Sequence, residues 1–275
     1  MKWLVSLLAL LLLGAARGDD VLFIGNSFTF AAEAPLIFIN GGVPKLVEAI
    51  AVAKGHVLAT KKITAAGVNW GFHLARPVTA KALAERPWTW VVLQDNSTEP
   101  TRVGNVAEFM RDGETFEDRI AAAAPQAGIV LYETWARPPG AFYEKSVVSG
   151  PWNPTEMMAD LHASYAKLQD DLATRGPKRE VRVAPVGMAF LRATAETKIN
   201  VNAADAHHAS PEGYYLAALV LYETIYHESA VGAPASFYNG EWIIPADDAA
   251  KLQEIADAVV KSTNVSLSKS ILLSH

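Results

Sequence analysis

The sequence predicts an α/β domain, a three-layer α/β/α sandwich around a mainly parallel five-stranded sheet. Two observations carry this expectation: five short apolar runs recur along the chain, and longer helix-like stretches separate them. The first run, Val21-Leu22-Phe23-Ile24, is unbroken and closed by Gly25, as in a buried strand. A helix over Pro44–Ala53 leads to a second strand in His56–Ile63, and a helix over Gly71–Ala84 leads to a third in Trp88–Gln94. The stretch Val106–Ala124 reads as a helix before the fourth run, Ala127–Tyr132. Between Trp135 and Pro154 the chain is rich in proline, glycine and aromatic residues and reads as a long loop able to wall a cleft. A helix over Thr155–Thr174 precedes the fifth run, Val181–Val186, and helices over Pro211–Tyr226 and Ala246–Val260, the second amphipathic, complete the pattern. These helices suffice to cover both faces of the sheet.

The amino terminus is read apart from the fold. Lys2 precedes an apolar run from Trp3 to Leu13, and the small residues Gly14, Ala15, Ala16 and Gly18 follow, which is the pattern of a secretory leader cleaved after Ala16 or Gly18. Residues 1–18 are therefore assigned to the leader and 19–275 to one domain, since no repeat, low-complexity tract or linker divides the remainder. The apolar run is shorter than the roughly 20 residues of a bilayer span, and no later segment is long and unbroken enough for one. The expectation is a secreted or periplasmic protein with no integral membrane segment in its mature chain. Cysteine is absent from all 275 residues, which excludes a disulfide framework and a lipid-modified cysteine anchor, so a packed core must supply stability. A net charge of -5 without a dense Lys/Arg stripe argues against a nucleic-acid partner. Neither a coiled-coil repeat nor any other pattern sets the oligomeric state.

Ser27 directly follows the first strand in VLFIGNSF, where a hydroxyl can be held rigidly and left open to a cleft, as a nucleophile requires. Far along the chain, Asp205 and His208 lie in DAHHASPEGYYLAA at DxxH spacing. Each signal is weak alone, because serine is a common helix cap and DxxH a common turn, but together they suggest a serine hydrolase triad. Two intermediate blocks strengthen the pattern, and the whole resembles the SGNH, or GDSL-like, esterases and acylhydrolases. GNSF at Gly25–Phe28 is similar to the family's first block, with Ser27 as nucleophile; AAGVNWGFH holds Gly67 where the second block places an oxyanion-hole glycine; DAHHASPEGYYLAA is similar to the last block, assigning Asp205 and His208. The third block, GxND in the family, is here QDNS at Gln94–Ser97: Asn96 aligns with the asparagine, while Gln94 replaces Gly and Ser97 replaces Asp. VVLQDNS resembles a divergent branch in which Gln94 is a substitute for Asn96 or its neighbour in the site. The resemblance implies the flavodoxin-like SGNH architecture, a Ser27–His208–Asp205 triad working through an acyl-enzyme, an oxyanion hole formed by the Ser27 and Gly67 backbone N–H groups and the Asn96 amide, and no metal or other cofactor.

Competing readings attach to the same residues. His207 is the alternative base if the loop register differs. Asp205 with both histidines would also make a metal set, but adjacent side chains do not automatically converge, and His56, His73, His162 and His227 complete no zinc spacing. GNS lacks the glycine spacing of a dinucleotide fingerprint, the Lys-Ser/Thr ending of a P-loop and the G-x-S-x-G elbow. In LYETWARPPGAFY, Glu133, Trp135, Arg137, Phe142 and Tyr143 lie at and beyond a strand end. Trp135 and Tyr143 are expected to offer flat area to a sugar ring or acyl group and Arg137 to orient polar oxygens, with core packing as the competing role for the aromatic residues. The functional expectation is an exported serine esterase acting on short acyl esters, with acetyl groups on carbohydrate as the leading substrate. A lipid or polyester hydrolase, an acyltransferase and a noncatalytic carbohydrate-binding protein on the same fold are the alternatives.

Overall fold

The computed structural model describes residues 18–175 and 179–273. Strand β1 (Asp19–Gly25) runs into the short helices α1 (Ser27–Phe30) and α2 (Pro35–Ile39), then α3 (Val43–Ala53). Next come β2 (Leu58–Thr64), α4 (Trp70–Leu74), α5 (Pro77–Leu83), β3 (Trp90–Leu93) and α6 (Val106–Ala123). They are followed by β4 (Gly128–Tyr132), α7 (Ala141–Lys145), α8 (Pro154–Arg175), β5 (Val181–Ala184), α9 (Val186–Glu196) and α10 (Pro211–Tyr226). An antiparallel ribbon of β6 (Ser236–Phe237) and β7 (Trp242–Ile243) precedes the last helix, α11 (Ala246–Leu273).

Strands β1 to β5 form one parallel sheet in the order β2-β1-β3-β4-β5. Their unbroken apolar runs follow from burial on both faces, with successive side chains feeding opposite layers. Val21, Phe23, Val92, Val130 and Tyr132 join one layer with α3, α9, α10 and α11. Leu22, Ile24, Val91, Leu93, Ile129 and Leu131 join the other with α4, α5, α6 and α8. Every residue of α10 from Gly213 to Ile225 is buried, and the helix is accordingly apolar on nearly every side up to Glu223. From β1 the chain crosses to β2 on one side, then returns to place β3 on the other, so the loops leaving the carboxyl ends of β1 and β3 diverge into a crevice. Ser27 and the segment Gln94–Asn96 emerge there.

Three details differ from expectation. The helix expected over Gly71–Ala84 is two helices: Arg76 is extended (φ -102°, ψ 126°), as a residue before proline prefers, and Pro77 opens α5. The loop expected over Trp135–Pro154 contains α7. Helices α1, α2 and α9 and the β6–β7 ribbon add to the expected elements; α1, α2 and the ribbon are too short to show a period, and α9 starts inside the apolar run assigned to the fifth strand. The leader expected over residues 1–18 lies, apart from Gly18, outside the described residues. No described helix is long and apolar enough to cross a membrane.

Candidate active site

The nucleophile turn is built by close approach. A Cβ on Gly25 would lie 2.3 Å from Thr29 Oγ1 and 2.6 Å from Gln94 Oε1, so glycine is what lets the end of β1 close against the end of β3. Asn26 caps α1. Its Oδ1 accepts from Phe28 N at 3.1 Å, and its carbonyl accepts from Thr29 N at 3.0 Å and Phe30 N at 3.2 Å. Its Nδ2 donates to Val68 O at 3.0 Å, stitching the turn to the loop that carries Gly67. Ser27 is the first helical residue, and its N–H is the one in this turn left without an acceptor among the described residues. Behind it, buried His73 donates from Nε2 to Gly25 O at 2.9 Å; burial lowers its pKa and keeps the ring neutral.

Gln94 and Asn96 divide the third block between them. Gln94 is buried, and its Oε1 accepts from Asn26 N at 2.9 Å and Thr29 Oγ1 at 2.9 Å, while its amide nitrogen donates to Asp95 O. Gln94 thus holds the nucleophile turn through its carbonyl oxygen, with one of its two amide N–H groups committed to Asp95 O. Asn96 points the other way chemically: its Oδ1 accepts from Thr98 N at 3.1 Å and Thr98 Oγ1 at 3.0 Å, leaving its NH2 group without a partner among the described residues. Gly67, at φ +67°, has open space where a Cβ would stand and an N–H without an acceptor among the described residues. Asp95, which the motif reading passed over, joins the second and third blocks: its Oδ1 accepts from Trp70 N at 2.7 Å and Asn96 N at 2.8 Å. Burial pushes its pKa up to about 8 against those two bonds, with Glu99 and Asp112 adding to the rise.

The expected pair of Asp205 and His208 lies on the loop between α9 and α10, closed by the Asn202–Ala209 bridge and by Ala203 N donating to His208 O at 2.8 Å. Asp205 works twice. Its Oδ1 accepts from the backbone N–H groups of His207 (3.0 Å) and His208 (2.9 Å), while Oδ2 accepts from His208 Nδ1 at 2.6 Å. Burial raises the Asp205 pKa, but the bonds from the His208 ring and the two N–H groups outweigh it and hold the carboxyl at about 2. With its proton on Nδ1, the His208 ring carries a free lone pair on Nε2, which is buried and has no hydrogen-bond partner among the described residues. The ring lies against Phe28, centroids 5.6 Å apart, and Phe28 is the residue after Ser27. The structure thereby brings the Ser27 turn and the Asp205–His208 loop together. His207 packs on Phe28 (5.0 Å) and His208 (4.6 Å) without reaching the Asp205 carboxylate by its ring; burial, then Arg137, brings its pKa down to about 4.

Trp135 takes the packing role, not that of a substrate wall. It is sandwiched between Phe28 (4.2 Å) and Phe190 (4.4 Å), and its Nε1 donates to His207 O at 3.2 Å, so it supports both halves of the site from behind. Tyr143 is likewise buried, its hydroxyl donating to Arg137 O at 2.6 Å. Glu133 is buried against His162 at 2.8 Å. Of the five residues singled out in that segment, Arg137 and Phe142 line a cavity of about 470 Å³ that borders Asp205, with Pro138 to Ala141 lining it between them. Glu33 is a further neighbour no motif signalled: its carboxylate, the Asp205 carboxylate and a His208 ring nitrogen lie within 4.8 Å of one another. It sits in a left-handed turn (φ 64°), where nothing in the local sequence marks it.

No protein-family model matches the chain, and no curated protein sequence does. Solved structures do. A DUF4886 family protein from Bacteroides uniformis superposes with a TM-score of 0.65 at 17% identity, over 89% of this chain and 95% of its own. The family 3 carbohydrate esterase of Clostridium thermocellum gives 0.54 at 13% identity, over 76% and 95%. The psychrotrophic esterase EstA from Pseudoalteromonas sp. gives 0.53 at 15% identity, over 75% and 96%. The fold is that of the SGNH hydrolases. At such identities the likeness is one of fold, and the chemistry rests on this chain's own residues.

Proposed function

We propose that the protein is an exported serine esterase that hydrolyses short-chain acyl esters, with acetyl groups on carbohydrate as its natural use. The observation that carries this reading is the pairing of His208 Nδ1 with Asp205 Oδ2 at 2.6 Å, which leaves Nε2 unpartnered beside the Ser27 segment. In the proposed cycle Ser27 Oγ attacks the ester carbonyl as its proton passes to His208 Nε2, and Asp205 stabilises the imidazolium. The charge growing on the carbonyl oxygen falls to the donors left without partners: the N–H groups of Ser27 and Gly67 and the NH2 of Asn96. His208 then protonates the departing alcohol. It next takes a proton from water as the oxygen attacks the acyl-enzyme, then returns that proton to Ser27 Oγ as the acid leaves. The cavity bordering Asp205 supports a sugar ester over a long-chain lipid, because Arg137, Lys145 and Ser146 line it together with apolar Phe142.

The test is turnover of acetyl through octanoyl p-nitrophenyl esters by purified protein, with a folded S27A variant as control. The expected result is a preference for the shortest chains and loss of turnover in S27A. A rate that climbs toward octanoyl would redirect the reading to lipid or polyester, for which exposed Leu36, Phe38 and Ile39 offer an apolar surface beyond Glu33. New esters formed from an added alcohol in preference to free acid would make the protein an acyltransferase. No turnover by folded wild type would leave a binding protein on a hydrolase fold.

A further inference from the structure

Beside the acid–base loop lies the cavity of about 470 Å³ lined by Arg137, Phe142, Lys145, Ser146, Asp205 and Ala206, among others. Its charges are unbalanced. Arg137 is half-buried, its guanidinium stacks over Phe142 at 4.2 Å, and its backbone is fixed through the Tyr143 hydroxyl. Its Nε is buried without an acceptor, and among the described residues no carboxylate lies within ion-pair distance of it or of Lys145. Asp205 is the cavity's one lining carboxylate, and both its oxygens are committed to His208 and to the turn's N–H groups. Asp205 acts on Arg137 only from beyond ion-pair distance, so a cation half removed from water gains from a ligand that supplies a contacting counter-charge, and a guanidinium fork matches a carboxylate in shape. This positive wall belongs to a chain of net charge -5, so it is a local feature.

The position of the cavity says which part of a substrate would reach it. His208 delivers its proton to the leaving oxygen, so the alcohol portion of the ester must lie on the Asp205–His208 side, where the cavity opens. Resting on the esterase reading above, we infer that this cavity is an anion subsite: it seats a carboxylate carried by the alcohol portion of the ester, as on an acidic sugar, with Arg137 as the specificity-determining residue and Lys145 as a second cation. Glu33, close to Asp205 and His208, disfavours an anion nearer the base and so reinforces the orientation.

The test compares 3- and 4-acetoxybenzoate with the neutral 3- and 4-acetoxybenzamides, each rate divided by that ester's hydroxide-catalysed rate. For at least one isomer, kcat/KM should favour the carboxylate by about tenfold, the worth of one charge-assisted hydrogen bond kept in the complex. That ratio should shrink as salt is added, fall toward unity in R137Q, decline less in R137K and decline partly in K145Q. The same ratio of dissociation constants, measured by calorimetry on S27A and on S27A/R137Q, reads the subsite without turnover. If wild type hydrolyses none of the four esters, the esterase reading fails and the calorimetric ratio decides the subsite alone. Equal handling of both carboxylates and amides, or an R137Q variant that slows both in the same proportion, would overturn the subsite and leave Arg137 as a buttress for Phe142.

Discussion

Ser27 grows out of a central strand, whereas Asp205 and His208 stand on a loop between α9 and α10, and the two halves of the site are held by different contacts. On the nucleophile side Asn26, Ser27 and Gln94 are 4%, 7% and 1% exposed, and the turn is fastened to β3 by Gln94 and to the Gly67 loop by Asn26. On the base side the loop is exposed at Asp205 and Ala206, the latter in a left-handed conformation (φ 56°), and inside the Asn202–Ala209 bridge the Asp205 carboxylate fastens its turn. The fold's core therefore positions Ser27, the proposed nucleophile, while a local turn positions His208, the proposed base, and uses Asp205 as its cap. The Phe28–Trp135–Phe190 stack is where the halves meet, since Trp135 also donates to His207 O. Perturbing the first half should move stability and activity together; perturbing the second should separate them.

D205N has the largest expected effect on turnover and tests that separation. An Asn Oδ1 still accepts the His207 and His208 N–H groups, so the thermal midpoint should stay within a few degrees. The NH2 that replaces Oδ2 cannot accept the His208 Nδ1 proton, so the ring turns to the tautomer with its proton on Nε2. That should lower kcat/KM for p-nitrophenyl acetate by about 10⁴-fold. D205A, which also discards both turn bonds, should lose midpoint as well. A D205N enzyme of near wild-type activity would break the assignment of the acid.

Q94L should act more weakly on turnover but on both quantities at once. It keeps volume while stranding Asn26 N–H and the Thr29 hydroxyl, two buried donors now satisfied by Gln94 Oε1. Leaving them unpaired should destabilise the chain by about 2–4 kcal/mol, read by urea unfolding. A looser nucleophile turn should lower kcat/KM by roughly 10-fold to 100-fold, the scale on which misplaced catalytic groups fall. Lost activity at full stability would mean that Gln94 meets substrate directly and would undo the division of labour with Asn96.

The sequence made the nucleophile half legible because its cues are local: an apolar strand, a glycine, a cap and a hydroxyl are contiguous at Val21–Ser27. Asp205 and His208 were legible for the same reason, being neighbours in one turn. Trp135 was not, because an aromatic residue after a strand declares its area and not its direction, and its partners Phe28, Phe190 and His207 come from three separated segments. Asp95 was overlooked because its partner Trp70 N belongs to another block, and Glu33 because only the fold brings it to His208. The break at Pro77 could have been read from the proline itself, which the surrounding apolar pattern concealed.

The smallest expected effect on turnover belongs to D95N, and it sharpens the comparison through pH. Asp95 and Asp205 are carboxylates on opposite halves with opposite shifts: about 8 for Asp95, mainly from burial, and about 2 for Asp205, where hydrogen bonds outweigh burial. For Asp95 the folded chain keeps a proton that the unfolded chain releases near 3.8, so between these values the folded state binds more protons and stability falls as pH rises. For Asp205 the unfolded chain binds the proton first, so its contribution is present above 3.8 and is lost as pH falls toward 2. An Asn at position 95 can still accept from Trp70 N and Asn96 N while carrying no titrating proton. D95N should therefore keep kcat/KM within a few-fold of wild type, match wild-type stability near pH 4 and exceed it increasingly up to pH 8, as read by urea unfolding across that range. An unchanged slope in D95N would remove Asp95 as the titrating group, and a steep loss of turnover would place the buried carboxyl in the chemistry instead of behind it.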